Sequence, residues 1–169
     1  LFRSNKILHV AHLLHENFFG FIRGQLTVST FIGIATFICC LVLRMPNAAT
    51  IGVIVGVTDL VPIIGPFLGG AIAFVMIVIE DPTKGLIFIA LIVILQQVES
   101  NLVYPKLVGN EVGLPSLWTL VAITIGGSLF GVVGMWGFIP LASTIYALIK
   151  EYTEYKINEK NLDLRMKKI

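Results

Sequence analysis

Charge is scarce in this chain of 169 residues, and most of it lies near the two ends. Charged residues make up 13% of the sequence, whereas soluble domains carry about 25%. Of 12 basic and 10 acidic residues, four lie in residues 1–23 and ten in residues 150–169, which leaves eight for the 126 residues between. Hydrophobic residues reach 56%. This distribution excludes an ordinary soluble domain and predicts an integral membrane protein.

Other features that are scarce exclude further classes of protein. The net charge of +2 is small and confined to the tails, so no nucleic-acid partner is expected. Cys39 and Cys40 are the only cysteines, and as helical neighbours they point about 100° apart and should not pair. The chain begins at Leu1 without a methionine or signal peptide, which suggests the C-terminal part of a longer protein. Because it has no nucleophile elbow and no P-loop, we expect no enzyme activity and no cofactor.

Residues 1–23 show apolar positions at helical spacing with polar residues between them. This pattern predicts an amphipathic linker helix at the membrane interface. The spacing of His9, His12 and His15 resembles a metal-binding pattern. Three residues per step, however, carry the third imidazole about 120° around the helix from the first. We therefore expect no metal site.

Two uninterrupted apolar stretches predict full membrane spans. Gly24–Leu43 contains no charge, and its 20 residues cover about 30 Å as a helix, which is the hydrocarbon thickness of a bilayer. Gly85–Tyr104 has the same length and becomes polar towards its end. The sequence thus predicts a transmembrane transport domain over residues 24–149, followed by a charged C-terminal cytoplasmic tail over residues 150–169.

Two other apolar stretches are interrupted, and each half is too short to cross a bilayer comfortably. Asn47–Ile79 is broken by prolines and a glycine, and Ser116–Ile149 is broken by glycines, with a further proline beyond. Because broken backbone is tolerated in a membrane only inside protein or beside a watery cavity, both read as re-entrant hairpins. The residues assigned to the two breaks are Pro62, Gly65, Pro66, Gly131, Gly134 and Pro140.

The order of span, hairpin, span, hairpin predicts an all-α, polytopic membrane protein built as an inverted repeat. Paired broken segments of this kind point to a transporter whose binding site lies where the hairpin tips approach. Both termini then share one side, and their Lys and Arg residues place that side in the cytoplasm. Two polar linkers that contain proline, Arg44–Asn47 and Lys106–Pro115, are hinge candidates.

Polar side chains near the breaks are candidates for a substrate or ion pathway. Asp59 ends the first half-helix, where it either couples transport to a cation or caps N–H groups of the break. Glu99 either couples transport or lies at the interface. The amides could bind a small polyol or serve helix packing. The candidates are Asp59, Gln96, Gln97, Glu99 and Asn101.

Several motifs in order resemble the autoinducer-2 exporter family of bacterial membrane transporters, over essentially the whole chain and the C-terminal half of the usual family length. The motifs are Pro62-Ile63-Ile64-Gly65-Pro66, Gln97-x-Glu99-x-Asn101 with Pro105, Gly109-x-x-Val112-Gly113-Leu114-Pro115, and Gly126-Gly127-x-x-Phe130-Gly131-x-x-Gly134 with Pro140. The sequence departs from the family at Ile63, where an aromatic is frequent, and at Leu114, where a histidine is common.

The resemblance implies a secondary transporter that exports a small polar molecule, similar to autoinducer-2, across the bacterial inner membrane by alternating access. It also implies coupling to H⁺ or Na⁺, contact with membrane lipid, and assembly as a homo-oligomer. A sodium(lithium)/proton antiporter is the alternative, and it requires Asp59 or Glu99 to be buried without a basic partner. A third alternative, a non-transporting membrane scaffold, predicts no cavity at the breaks.

Overall fold

The computed structural model describes residues 2–104, 106–107 and 114–166, and these residues form helices and turns without a strand. The elements are α1 (Phe2–Val42), α2 (Ala48–Asp59), α3 (Ile64–Glu80), α4 (Pro82–Val98), a π-helical turn (Glu99–Val103) and α5 (Ser116–Met166). Among the described residues, three helical stretches are long and apolar enough to cross a membrane, namely Val10–Val42, Pro82–Val103 and Leu117–Glu154. The predicted all-α, polytopic membrane architecture is confirmed.

Helix α1 is continuous from its first turn to its last. The predicted linker helix and the predicted span Gly24–Leu43 therefore form one rod, and Arg23 marks no break in the backbone. Nothing in the sequence around Arg23 would interrupt a helix, because this region contains neither proline nor a run of turn-forming residues. The rod is long enough for both hairpins to pack along it.

The first hairpin consists of α2, a short turn and α3, and it reverses where the sequence predicts the first break. Asp59 ends α2 and Ile64 begins α3, so Gly65 lies in the first turn of α3. A Cβ atom on Gly65 would lie only 1.9 Å from the carbonyl oxygen of Thr58. Glycine is therefore required here for the two helices to meet.

The tip of the first hairpin is a tight γ-turn centred on Ile63. Its φ of 69° and ψ of −56° are close to the values of the strained γ-turn. The N–H of Ile64 donates to the carbonyl oxygen of Pro62 at 2.8 Å, which closes the three-residue turn. A β-branched residue at positive φ is rare and stores roughly 1–3 kcal/mol of strain. The tip is thus held in shape by its surroundings.

Polar contacts tie the base of the first hairpin together. The Nζ of Lys84 donates to the carbonyl oxygen of Arg44 at 2.7 Å, and the Nδ2 of Asn47 donates to Glu80. Asp81 caps α4 by accepting from the N–H groups of its first turn. The predicted hinge Arg44–Asn47 is therefore bonded to the α3–α4 turn. Most of the other predicted hinge, Lys106–Pro115, lies outside the described residues.

The second hairpin lies within α5, which is not one straight helix. Phe130 has φ −135° and ψ 15°, and Gly131 has φ 61° and ψ −143°. A Cβ atom on Gly126 would lie 2.4 Å from the carbonyl oxygen of Gly134, although residues eight apart in a straight helix are about 12 Å apart. The chain therefore folds back on itself at Phe130–Gly131.

This reversal corrects the boundaries of the predicted second break. The prediction placed Gly131 and Gly134 together in the break, with Pro140 loosening the segment further. Of these three residues, only Gly131 has non-helical geometry; Gly134 lies at the crossing of the two arms, and Pro140 is buried inside the second arm. The small size of Gly134 serves close packing, and a proline inside a membrane helix is tolerated where neighbouring groups satisfy the backbone oxygen that its missing N–H leaves free.

The positive φ of Gly131 yields a prediction with a matched control. We expect Gly131→Ala to cost about 1–3 kcal/mol, because side chains strain this backbone conformation even where space is open. Gly137→Ala is the control: open space also surrounds its Cβ position, its backbone is helical, and alanine favours helices. Thermal unfolding of the two variants in detergent tests the difference. Equal melting temperatures would contradict the assigned reversal.

The first hairpin runs back along α1 from the far end of that helix. A Cβ atom on Gly52 would lie 2.6 Å from the Cβ of Phe37, so α2 starts beside the last third of α1. The other end of α2 reaches further down, where the Nε2 of Gln25 donates to the carbonyl oxygen of Asp59 at 2.8 Å. Helices α1 and α2 are therefore antiparallel.

The second hairpin approaches from the opposite end of α1. Trp136, near its tip, packs edge-on against Phe21 with ring centroids 6.2 Å apart. Further along, Thr144 accepts from the Nδ2 of Asn17, which lies closer to the start of α1. The tips meet where the Nε1 of Trp136 donates to the carbonyl oxygen of Leu60 at 2.7 Å. This opposed arrangement is the one expected of an inverted pair; whether each tip stops inside the bilayer stays a prediction.

Candidate functional site

Asp59 lies at the end of α2, where the two hairpin tips and α1 meet. Its side chain is 1% exposed, and its Oδ2 has no hydrogen-bond partner among the described residues. A capping role would require this carboxylate to accept N–H groups of the break, as Asp81 does at the start of α4. The unpartnered oxygen speaks against that role. It leaves a buried carboxylate that the surrounding protein does not satisfy.

Two side chains from other elements hold the backbone beside Asp59. Gln25 of α1 donates to the carbonyl oxygen of Asp59 at 2.8 Å, and Trp136 of the second hairpin donates to that of Leu60 at 2.7 Å. Carbonyl groups in the last turn of a helix have no partner within the helix. These two bonds supply partners, and they fix the end of α2 between α1 and the second hairpin.

Glu99 faces the same region from the end of α4. Its side chain is 8% exposed, and its Oε2 has no hydrogen-bond partner among the described residues. The Glu99 and Asp59 carboxylates are close enough to interact electrostatically. Glu99 begins the π-helical turn, a feature that often occurs at functional sites. The alternative of an interfacial Glu99 does not fit this burial.

The π-helical turn also brings Tyr104 to the site. The N–H of Tyr104 donates to the carbonyl oxygen of Glu99, five residues earlier. In an α-helix residues five apart point about 140° away from each other, whereas the i→i+5 bond places Tyr104 over Glu99. Tyr104 is thereby close enough to Glu99 and Asp59 for their charges to affect it.

The structure divides the predicted amide residues between two faces. Gln96 is half-buried, and its Nε2 is buried without a hydrogen-bond partner among the described residues. Gln97 and Asn101 are exposed and bond to each other, since the Nδ2 of Asn101 donates to the Oε1 of Gln97 at 3.1 Å. The sequence predicts all three as candidates together with the acids; the structure brings only Gln96 towards the buried side.

Three residues of the site were not among the predicted candidates. The signal for Gln25 in the sequence was weak, since it is one of several polar residues in the span Gly24–Leu43. The indole N–H of Trp136 also needs a partner wherever it is buried. The position of Tyr104 depends on a π-helical turn that no sequence pattern marked. Gln25 is 2% exposed, and its Oε1 has no hydrogen-bond partner among the described residues.

The site carries two acids, and the Oδ2 of Asp59 and the Oε2 of Glu99 have no hydrogen-bond partner among the described residues. The ion pairs of His12 with Glu16 and of Lys84 with Asp81 involve neither acid. A buried carboxylate is costly unless it is paired, protonated or bound to a cation. Among the described residues, no group of three or more His, Cys, Asp or Glu side chains could hold a metal ion. Carboxylates buried in this way have the chemistry to accept a proton or a cation.

Comparison with known proteins gives matches along most of the chain. The model of the AI-2E family transporter matches residues 2–154. YueF of Bacillus subtilis (strain 168), provisionally named a transport protein, is 34% identical over 139 residues, covering 82% of this chain and 37% of YueF. No solved structure matches the chain.

Two further relatives extend the comparison. BpOF4_00890 of Alkalihalophilus pseudofirmus, also provisionally named a transport protein, is 34% identical over 163 residues, 93% of this chain and 40% of that protein. A protein of Halobacillus andaensis named sodium-lithium/proton antiporter is 32% identical over 136 residues, 78% of this chain and 37% of that protein. The chain thus spans about two fifths of the length of these relatives. With its family match over residues 2–154, the chain belongs to the AI-2E family of transporters.

Proposed function

We propose that the full-length protein is a secondary transporter coupled to a proton or a monovalent cation, and that Asp59 and Glu99 are its coupling groups. The observation that carries this proposal is a pair of buried carboxylates, near the meeting point of α1 and the two hairpins, that each keep one oxygen without a hydrogen-bond partner among the described residues. Burial of such groups is tolerated when a positive charge accompanies them. An exchangeable ion supplies that charge.

The surroundings of Asp59 favour a cation over an anion. Asp59 lies at the C-terminal end of α2, where the helix dipole carries partial negative charge. Broken helices in transporters present such ends to coupling ions. The relative from Halobacillus andaensis is named a sodium-lithium/proton antiporter, which agrees with an exchange of alkali cations for protons at this site.

Export of a small polar solute is the second candidate function, and unpaired amide atoms favour it. The Oε1 of Gln25 and the Nε2 of Gln96 are buried without hydrogen-bond partners among the described residues. One accepts and the other donates hydrogen bonds, so together they suit a compound rich in hydroxyl groups, such as a signal similar to autoinducer-2. Large exposed apolar side chains, for example Phe67 and Ile79, support membrane lipid and further copies of the chain as partners.

Substitution of Asp59 tests the coupling role. We expect full-length Asp59→Asn protein in liposomes to lose Na⁺- or Li⁺-dependent dissipation of an imposed pH gradient, because asparagine keeps the shape and removes the charge. Glu99→Gln should show the same loss. Glu154→Gln is the control, since Glu154 is exposed and lies in the C-terminal part of α5. Cation-dependent dissipation at the wild-type rate in the Asp59→Asn protein would refute the proposal.

A further inference from the structure

We propose that the tip of the second hairpin, residues 131–139, is a gate beside Asp59 that opens by bending at Pro140. The hydrogen bond from Trp136 to the Leu60 carbonyl is the latch that keeps the gate closed. The inference rests on the proposed function, because it names the part of the protein that controls access to a coupling group. Trp136 is a positioning residue in this arrangement, since it acts through the backbone next to Asp59.

The latch is a single hydrogen bond next to a buried acid. The Nε1 of Trp136 donates to the carbonyl oxygen of Leu60 at 2.7 Å, and Leu60 directly follows Asp59 in the chain. The indole ring also packs edge-on against Phe21 of α1. Asp59 itself is 1% exposed. A side chain of the second hairpin therefore closes the segment beside a carboxylate that, under the proposed function, an ion has to reach.

The first hairpin is fixed on α1 by contact between main-chain atoms. A Cβ atom on Gly33 of α1 would lie 3.0 Å from the carbonyl oxygen of Gly52 and 3.1 Å from the Cα of Gly56, both in α2. Lys84 and Asn47 tie the base of this hairpin together. Movement of α2 along α1 would disrupt close packing over this contact. The first hairpin is therefore the stationary side of the gate.

The second hairpin packs against α1 less completely. An open groove of about 610 Å³ lies between them, and its lining is apolar apart from His15. Leu14 and Phe18 line its α1 side, and Val133 and Phe138 line the side of the second hairpin. Surfaces that are already apart lose few van der Waals contacts when they separate further. The tip of the second hairpin can therefore leave α1 at a lower cost than α2 can.

Pro140 supplies a hinge between this tip and the rest of its arm. Because proline has no N–H, it leaves the carbonyl oxygen four residues earlier, that of Trp136, without its regular helical bond. Beyond Pro140 the arm is anchored to α1, since Thr144 accepts from the Nδ2 of Asn17 at 3.1 Å. The Thr144 hydroxyl also donates to the carbonyl oxygen of Pro140 at 2.9 Å. The latch and the anchor thus lie on opposite sides of the proline.

A small bend at Pro140 is enough to break the latch. Trp136 lies four residues before Pro140, which is about 6 Å along a helix. A bend of about 30° at a proline kink moves a point at that distance by about 3 Å. This displacement takes a hydrogen bond of 2.7 Å well beyond its range. The contact between Thr144 and Asn17 lies beyond the hinge and is kept.

Access of a water-soluble thiol reagent to position 59 tests the gate. The reporter is full-length Asp59→Cys protein in detergent, with its other cysteines replaced. We expect Trp136→Phe to speed modification of the reporter roughly fivefold to tenfold, because phenylalanine keeps a ring against Phe21 and lacks the N–H of the latch. Trp118→Phe is the matched control and should leave the rate unchanged, since Trp118 is exposed on the first arm of α5.

Pro140→Ala should have the opposite effect on the same reporter. Alanine restores the N–H that bonds to the Trp136 carbonyl, so bending has to break one more hydrogen bond, and modification should slow about fivefold. An unchanged or faster rate would refute the hinge.

A second reporter separates opening of the gate from general loosening. Ile77→Cys lies at a fully buried position near the base of the first hairpin and should stay protected in Trp136→Phe and in Pro140→Ala. The inference is wrong if Trp136→Phe speeds modification of both reporters equally, or of neither.

The inference and the proposed function fail in different ways, because access of the reagent is measured without transport. Faster modification in Trp136→Phe, together with wild-type transport by Asp59→Asn, would support the gate and refute the coupling role of Asp59. Loss of cation-dependent transport in Asp59→Asn, together with an unchanged modification rate in Trp136→Phe, would support the coupling role and refute the gate.

Discussion

Gly65→Ala is expected to prevent normal closure of the first hairpin. The added Cβ would lie 1.9 Å from the carbonyl oxygen of Thr58 and 3.0 Å from the Cα of Asp59. Both are backbone atoms, which cannot rotate away as a side chain can. Overpacking of this kind costs about 1–3 kcal/mol and sometimes more. The α2–α3 pair has to separate, and Asp59 then moves with the end of α2.

Gly70→Ala in the same helix is the matched control for this prediction. A Cβ on Gly70 would meet only the Cγ1 of Ile92, at an ordinary contact distance of 3.6 Å, and alanine favours helices over glycine by roughly 1 kcal/mol. We expect Gly65→Ala to lower the melting temperature in detergent and abolish cation-dependent transport, and Gly70→Ala to change neither for the worse. Wild-type stability of Gly65→Ala would contradict the close approach of α2 and α3.

Deletion of Ile94 is expected to remove cation binding, because it turns Glu99 away from Asp59. Ile94 is an exposed residue of α4, about one helical turn before Glu99. Loss of one residue rotates everything beyond it by about 100° relative to the preceding helix. The Glu99 carboxylate would then leave the site, so Na⁺ binding should fall below detection.

Deletion of Ser100 is the control, and its expected result is the opposite. Ser100 is exposed and lies inside the π-helical turn, which holds one residue more than an α-helical turn would. Without it, Glu99 and Tyr104 are four residues apart and lie on the same face of an α-helix. Na⁺ binding should persist, and equal loss in both deletions would show that the π-helical turn does not assemble the site.

The two chain reversals could be predicted because their causes are local. Pro62 follows the end of α2 and opposes its continuation whatever surrounds it, and Gly131 supplies a backbone conformation that residues with side chains rarely adopt. Boundaries were less predictable: Gly134 is conformationally permissive in sequence, but only its packing against Gly126 shows that it belongs to a helix. Glycines for a turn and glycines for a close contact look the same in a sequence.

The partners of the acids were harder to predict, because they depend on tertiary contacts. Asp59 stood out as an acid beside a break, whereas Gln25 joins it from 34 residues away. In a regular α-helix Gln97, Asn101 and Tyr104 would lie on one face. The π-helical turn shifts Tyr104 out of that face and towards Glu99. Such a shift follows from tertiary packing, which cannot be predicted from the pattern of polar residues along α4.

At the tip of the first hairpin, the protein itself supplies the hydrogen bonds that water would otherwise make. Each carbonyl oxygen from Val57 to Pro62 accepts a hydrogen bond from the protein, four from N–H groups of the tip and two from Gln25 and Trp136. Movement of this tip through a low-dielectric interior therefore removes no water from these carbonyl groups, provided that the hydrogen bonds from Gln25 and Trp136 are kept. If the hydrogen bond from Trp136 breaks while the others remain, the Leu60 carbonyl needs a water molecule in its place. A rearrangement that separates the hairpins should then be slower where water is excluded. Access of water to the Leu60 carbonyl would therefore limit its rate.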